Sequence, residues 1–442
     1  MIKLSCCLAA VLAVSVWHAV PVHAQDTEAI LREIQVLKKD YESRISQLEA
    51  KLKAYDEAKQ KQAAPTPAST ARSVYGNSFN PAIGVVLNGK ASSFSRNTSE
   101  IAGFGVGEEG ERGREGLAID ESELNFSANV DDKFLGSLTA AIVREEGEDK
   151  VELEEAYVQT LPDVGLPEGA RLTFGRKFWT LGYLNEHHAH SDDFADRPLP
   201  YRIYLNKAFN DDGVEVSYVL PTDFYAEIGG GGFRADDFPA GGSVSGLGAW
   251  SVFARIGGDI GDKQSWRVGG YYLNSDATDR KSNEDMVTFI GESNLFAADL
   301  RYTLAPTGDP KQSELSLQAE FFHRSEDGTY QDADAGTGRV VYDDSTHGCY
   351  LQGVYRFAPR WRLGARYSEM MSAAAPAGLV GSSLDPSGHD PQTISIMGDW
   401  TNSEFGRIRL QYNREELSSG ADEDQIILQY IMSLGAHGAH AY

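Results

Sequence analysis

Residues 406–415 read GRIRLQYNRE, and the order of polar and apolar side chains along them decides the fold. Ile408, Leu410 and Tyr412 fall on one side of an extended chain, and Arg407, Arg409, Gln411 and Asn413 on the other. Successive side chains of a β-strand point to opposite faces, so this stretch predicts a strand with one greasy and one wet face. RWRLGARY (360–367) repeats the pattern: Trp361, Leu363, Ala365 and Tyr367 oppose Arg360, Arg362 and Arg366. DGVEVSYVLP and SWRVGGYYL behave alike. Alternation alone does not distinguish a soluble sandwich from a membrane barrel, so the connections have to discriminate.

From residue 80 onward the sequence predicts sixteen such segments, from 82–95 to 424–436. Connections after the even-numbered segments are short, such as DDK, PTD, GDKQ, AP and NSEF. Those after the odd-numbered ones are mostly long: 96–115, 183–211, 276–294, 325–346 and 372–391. Short turns on one rim and long loops on the other mark an outer-membrane barrel. Lipid offers backbone groups no hydrogen-bond partners, so the sheet has to close on itself. The predicted fold is an all-β transmembrane barrel of about 16 antiparallel strands, spanning residues 80–442 and preceded by an α-helical coiled coil.

The N-terminal end fits an exported protein. Residues 1–24 carry Lys3, the short apolar run LAAVLAVSVW and the small-residue sequence VHA before Gln25, which together predict a signal peptide. In residues 25–62, apolar side chains recur at Ile30, Ile34, Leu37, Tyr41, Ile45, Leu48, Leu52 and Tyr55. These steps of three and four predict a coiled coil in the periplasm. A single helix cannot bury that seam, so the reading is a homo-oligomer, a trimer being the natural form and a dimer compatible with the same seam. Residues 63–79 read as a linker, opened by AAPTPASTARS.

Composition narrows the function classes. The chain has a formal net charge of −25, and residues 26–62 contribute none of it, which argues against nucleic acid as a partner. Beyond the signal peptide only Cys349 is left, which excludes a disulfide scaffold and a four-cysteine zinc site. The partners predicted are outer-membrane lipid, further copies of the chain, and small solutes or ions.

YLNEHHAHSDDFAD (183–196) belongs to the connection 183–211, whose length points to function. A sixteen-stranded barrel has an aqueous interior, and Tyr183, Leu184, Phe194, Leu199, Tyr201 and Tyr204 give this loop apolar material to fold inward against a wall. His187, His188, His190, Asp192 and Asp193 are its candidate metal ligands. In an extended segment His188, His190 and Asp192 would share one face, a donor set suited to zinc. The opposing reading is that these polar groups hydrogen-bond the loop to the wall and hold no metal. No cofactor is required on either reading; weakly bound, exchangeable zinc is the one candidate. The candidate pore-lining residues are Arg255, Arg267, Arg301, Arg360, Arg362, Arg366, Arg407 and Arg409, expected to pair with acids such as Asp299, Glu320 and Asp399. No nucleophile or oxyanion site accompanies the histidines, so an enzyme is not predicted.

FNPAIGVVLNGKASSFS, GRKFWTLGYLNEHHAHSDDFADRPLPYR and the closing SLGAHGAHAY resemble the zinc-regulated outer-membrane proteins. The resemblance runs over most of residues 28–442 and implies a porin-like barrel with an N-terminal coiled coil and a link to zinc or another divalent metal. Members are often labelled TonB-dependent receptors, but such receptors need a plug domain and about 22 strands, for which the barrel segment has no room. More loosely, the barrel is similar to phosphate-selective porins, whose pores use basic residues. The expected function is passive diffusion of small hydrophilic solutes or ions across the outer membrane. The alternative is a barrel-anchored metal-binding protein without an open pore.

Overall fold

The computed structural model describes residues 82–96, 100–145, 148–162, 164–242, 245–403 and 405–435. The predicted signal peptide, coiled coil and linker lie outside the described residues, as do His437 and His440.

Seventeen strands form one antiparallel sheet that closes where β1 (Ala82–Phe94) pairs with β17 (Asp422–Gly435). β2 (Gly116–Ile119) and β3 (Ser122–Asn129) both pair with β1, so they are two halves of one interrupted strand and the barrel has sixteen staves. At the break, Asp120 takes over the pairing: its backbone N–H donates to Asn88 O at 2.9 Å, and its carboxylate meets Lys90 at 2.6 Å. The next strands are β4 (Phe134–Glu145), β5 (Glu148–Thr160), β6 (Ala170–Phe178), β7 (Asn210–Val219), β8 (Tyr225–Phe233) and β9 (Ala249–Ile260). They are followed by β10 (Gln264–Ser282), β11 (Val287–Leu304), β12 (Glu314–Asp332), β13 (Val340–Ala358), β14 (Trp361–Met371), β15 (Gln392–Ser403) and β16 (Gly406–Glu416).

The alternation in GRIRLQYNRE is realised side chain by side chain. Leu410 and Tyr412 are exposed on the outer face at 56% and 41%, whereas Arg409, Gln411 and Asn413 are fully buried inside. Leu87, Val216, Val252, Leu363, Ile396 and Leu428 repeat the outward apolar pattern around the sheet. A soluble barrel would bury such a band; a lipid bilayer solvates it. Aromatic side chains mark its lower edge near the short turns, where Trp361 and Trp400 lie 6.2 Å apart, and its upper edge, where Trp250 and Tyr272 lie 5.3 Å apart.

Two expectations are corrected. Residues 276–294 and 325–346 are not open loops: β10 and β11 continue to a tight turn at 283–286, and β12 and β13 to one at 333–339. Above the apolar band the outward face meets water and turns polar, as at Asp276, Thr278 and Lys281. The inward face there mixes Ala277, Val287 and Phe289 with Arg280, so the greasy-out, wet-in alternation vanishes while the backbone ladder continues. Arg360 does not line the interior: it sits exposed in the two-residue turn between β13 and β14, where its carbonyl accepts from Thr401 N–H at 2.9 Å.

One irregularity positions the site. Along β4–β5 the register shifts between Thr139, opposite Glu155, and Ala140, opposite Leu153, so Glu154 is an extra residue in β5. Such a bulge re-aims side chains. Leu153 and Val158 point outward, while the neighbours Glu154 and Glu155 both turn into the barrel.

Candidate pore constriction

The connection between β6 and β7 carries two short 3-10 turns, Leu184–Glu186 and Ala189–Ser191, and one helix, α1 (Leu199–Tyr204). Its stem is tied by Asn185, whose Nδ2 donates to Trp179 O at 2.7 Å and Phe209 O at 3.0 Å, and whose Oδ1 accepts from Phe209 N–H at 2.6 Å. Trp179 is fully buried and donates from Nε1 to Asp211 O at 2.8 Å. Pro198 and Pro200 start α1 with fixed backbone angles, as proline at a helix N-terminus does.

The loop packs its apolar side on inward-facing residues of the barrel. Leu199, Tyr201, Ile203, Tyr204 and Leu205 share a core with Phe253, Tyr271, Leu295, Phe322, Tyr350 and Met370 of β9 to β14. Glu320 of β12 receives the loop's start: Tyr183 N–H and Tyr201 OH each donate to it at 3.0 Å. Removing this much apolar surface from water holds a loop far more firmly than its polar contacts alone could.

The charged residues divide by sign. Along β9 to β16 the inner wall is basic, and the loop's acids face it: Glu186 meets Arg255 at 2.5 Å, Asp193 meets Arg362 at 2.7 Å and Asp196 meets Arg366 at 2.5 Å. Arg407 and Arg409 donate to the backbone carbonyls of His190 and Asp192, each at 2.5 Å. On the opposite side the wall of β3 and β5 is acidic and faces three of the loop's basic groups, His188, His190 and Lys207, whereas Arg202 pairs with Glu415 of β16 at 3.0 Å. His188 Nδ1 lies 3.1 Å from Glu123 and its Nε2 3.1 Å from Glu155; His190 Nδ1 lies 2.6 Å from Glu123; Lys207 lies 3.0 Å from Glu121. Loop contacts from β3 round to β16 carry the segment across the bore.

The five candidate metal ligands therefore do not converge. His188 and His190 do come together, their rings 5.7 Å apart. Asp192 is instead held by Arg197 at 2.6 Å within the loop, and Asp193 by Arg362 on β14. His187 turns away: its Nδ1 hydrogen-bonds Tyr183 O at 2.8 Å and its ring stacks on Tyr183 at 4.7 Å. Burial pushes the His187 imidazole down to about 4 and the Asp192 carboxyl up to about 6. The shared face predicted for His188, His190 and Asp192 assumed an extended segment; the 3-10 turn at 189–191 breaks it.

The arginine wall is mostly paired. Arg255 meets Glu227 at 2.7 Å, Arg267 meets Asp299 at 3.3 Å and Arg362 meets Asp399 at 2.5 Å. Glu320 departs from the expectation, because the loop rather than an arginine claims it. Arg267 and Arg301 each stand 4.6 Å over the Tyr183 ring, and the two border a recess of about 520 Å³ with Glu186 and His187.

A larger cavity of about 1450 Å³ runs beside the loop on its acidic side. Its lining includes Asp120, Glu121, Glu152, Glu154 and Asp237, with Lys90, Arg176 and Lys207 among the basic groups. Glu108, Glu109 and Glu111, in the connection after β1, add to the acidic excess. Glu109 borders this space, and the surrounding protein takes enough bulk water from its carboxyl to raise it to about 7. Glu123, Glu154 and Glu155 belong to no motif in the sequence; the one signal is the doublet in VELEEAYV, which breaks strict alternation and marks the bulge.

No family model matches the chain. An uncharacterized protein of Aquifex aeolicus (strain VF5) is 26% identical over 363 residues, covering 77% of this chain and 73% of that protein. OmpT, an outer membrane protein of Vibrio cholerae, superposes with a TM-score of 0.50 at 12% identity, covering 82% of this chain and 99% of OmpT. The outer membrane channel DcaP of Acinetobacter baumannii gives 0.50 at 12% identity (80% and 97% covered), and an anion-selective porin from Comamonas acidovorans 0.50 at 9% (80% and 99%). At these identities the likeness establishes the closed sixteen-stave barrel.

Proposed function

We propose that this chain is an outer-membrane porin through which small hydrophilic solutes or ions diffuse passively, with loop 183–211 setting the constriction. The observation that carries this reading is the division of charge across the bore. A loop whose acids match one wall and whose His188, His190 and Lys207 match the other is fixed in place, and the proposed route for the solute is the cavity of about 1450 Å³ on the acidic side. Transport then needs no moving part and no catalytic group. The outer-membrane setting is supported by the outward apolar band and by the architecture shared with OmpT, DcaP and the Comamonas porin.

The acidic excess beside the path favours cations over anions, because a like charge entering a narrow low-dielectric passage is repelled. The arginines do not oppose this, since most are neutralised by the loop or by neighbouring acids. The seam predicted in residues 25–62 supports assembly as a homo-oligomer, with a trimer the natural reading. Planar-bilayer recording of the purified protein tests the proposal. Stepwise conductance with a cation-selective reversal potential in a KCl gradient supports it. Insertion without conductance returns the alternative of a barrel-anchored metal-binding protein.

A further inference from the structure

We infer that Glu123, Glu154 and His188 form a binding site for a divalent transition-metal ion of the zinc class on the acidic wall of the bore. One donor atom from each lies within 4.8 Å of the others, the spacing at which three ligands can share one ion. His188 Nδ1 is 3.1 Å from Glu123 Oε2 and 3.4 Å from Glu154 Oε2.

The groups around these three hold them in a ligating arrangement. His188 Nε2 lies 3.1 Å from Glu155 Oε2, so an N–H at Nε2 can donate to that carboxylate while a bound ion takes the place of any proton at Nδ1, the nitrogen that faces Glu123 and Glu154. A carboxylate behind an imidazole is the usual support of a metal-bound histidine, fixing its tautomer and ring plane. His190 Nδ1 does the same for Glu123: it binds Oε1 at 2.6 Å and turns Oε2 toward His188. The Phe178 ring packs edge-on against His188 with centroids 5.0 Å apart, which limits its rotation.

Two further observations distinguish this cluster from an ordinary acidic patch. Glu154 faces inward because β5 carries a bulge at that residue; without it, Glu154 and Glu155 would point to opposite faces. Its buried Oε2 has no well-formed hydrogen bond among the described residues and faces His188 Nδ1 at 3.4 Å. A buried carboxylate oxygen so weakly satisfied is costly, and a bound cation relieves that cost. One imidazole nitrogen with two carboxylates suits zinc-class ions better than Mg²⁺ or Ca²⁺, which prefer all-oxygen shells. Three protein ligands, with Glu154 at the edge of the larger cavity, leave a position for water and make the ion exchangeable.

The site does not require an open pore, so binding is measured on the full-length protein in detergent, apart from any conductance. Zn²⁺ is titrated calorimetrically in the presence of millimolar Mg²⁺. The inference predicts one saturable site per chain that Mg²⁺ does not displace. Glu154→Gln and His188→Gln should each weaken it at least about tenfold, whereas His187→Ala, Asp193→Asn and the pair His437→Ala with His440→Ala should leave it unchanged. Heat-modifiable electrophoretic migration reports whether each variant keeps its barrel; if His188→Gln does not fold, Glu154→Gln decides. No saturable Zn²⁺ binding, or binding indifferent to Glu154→Gln, overturns the inference and leaves His188 as an imidazolium clasped by Glu123 and Glu155.

Discussion

Arg366 on β14 holds Asp196 of the long loop twice: Nη2 donates to the carboxylate at 2.5 Å and Nη1 to the backbone carbonyl at 2.7 Å. The same carboxylate accepts from Gln411 at 2.6 Å and from Asn413 at 2.9 Å, so one aspartate collects three inward-facing residues from two strands. Arg366→Ala leaves the buried end of this network uncompensated, and loosening the loop by about 3 kcal/mol is the expected cost. Trypsin should cut within 183–211 faster in the variant, and unitary conductance should rise and become noisier. A variant as protected and as quiet as the parent would show that the apolar contacts alone fix the loop.

Asn185 makes three hydrogen bonds to the loop's stem, and alanine there strands Trp179 O and Phe209 N–H, while Phe209 O keeps the Trp179 N–H at 3.2 Å. Each orphaned group costs on the order of 1–3 kcal/mol, so Asn185→Ala should release the loop more completely than Arg366→Ala. Hydrogen exchange at Trp179 to Phe209 measures this: protection should drop across the whole segment while that of β12 and β13 is retained.

Glu109 supplies a pH signature. With its carboxyl raised to about 7, it is charged at pH 8 and largely neutral at pH 6. Cation preference should therefore decline as pH falls through 7, and Glu109→Gln should remove that part of the change by starting low at both pH values. His187, held near 4, stays neutral over this range, so His187→Ala should not alter the pH profile.

Leu410 and Arg409 are neighbours with opposite surroundings, one facing lipid at 56% exposure and the other fully buried inside. Leu410→Arg places a charge near the middle of the apolar band and should cost about 2–4 kcal/mol of folding free energy into lipid vesicles. Urea titration of vesicle-folded protein measures it, and an unchanged midpoint would mean that this face does not meet lipid.

The staves were legible because lipid imposes a rule on every second side chain, and residues 407–413 of GRIRLQYNRE obey it. The upper halves of β10 to β13 were not, since above the band water replaces lipid outside and apolar residues such as Ala277, Val287 and Phe289 turn inward among polar ones. The loop's destination was legible from its aromatic content. The fate of its charges was not, because the partners lie far away in sequence: Asp196 meets Arg366 across 170 residues, and His190 meets Glu123 across 67. Of the residues that read as one metal set, His188 and His190 go to the acidic wall, Asp193 to Arg362, Asp192 to Arg197 within the loop and His187 to Tyr183. Only His188 keeps a metal-compatible setting, and its partner ligands come from strands.

The most direct test of the account is the zero-current potential across a planar bilayer holding the purified protein, with a tenfold KCl gradient at pH 7.5. A sustained stepwise conductance whose potential has the sign of K⁺ preference, reduced by neutralising Glu109, Asp120 and Glu152 together, is the result predicted. Inserted protein that passes no current, or a Cl⁻-selective potential unmoved by those substitutions, would contradict it.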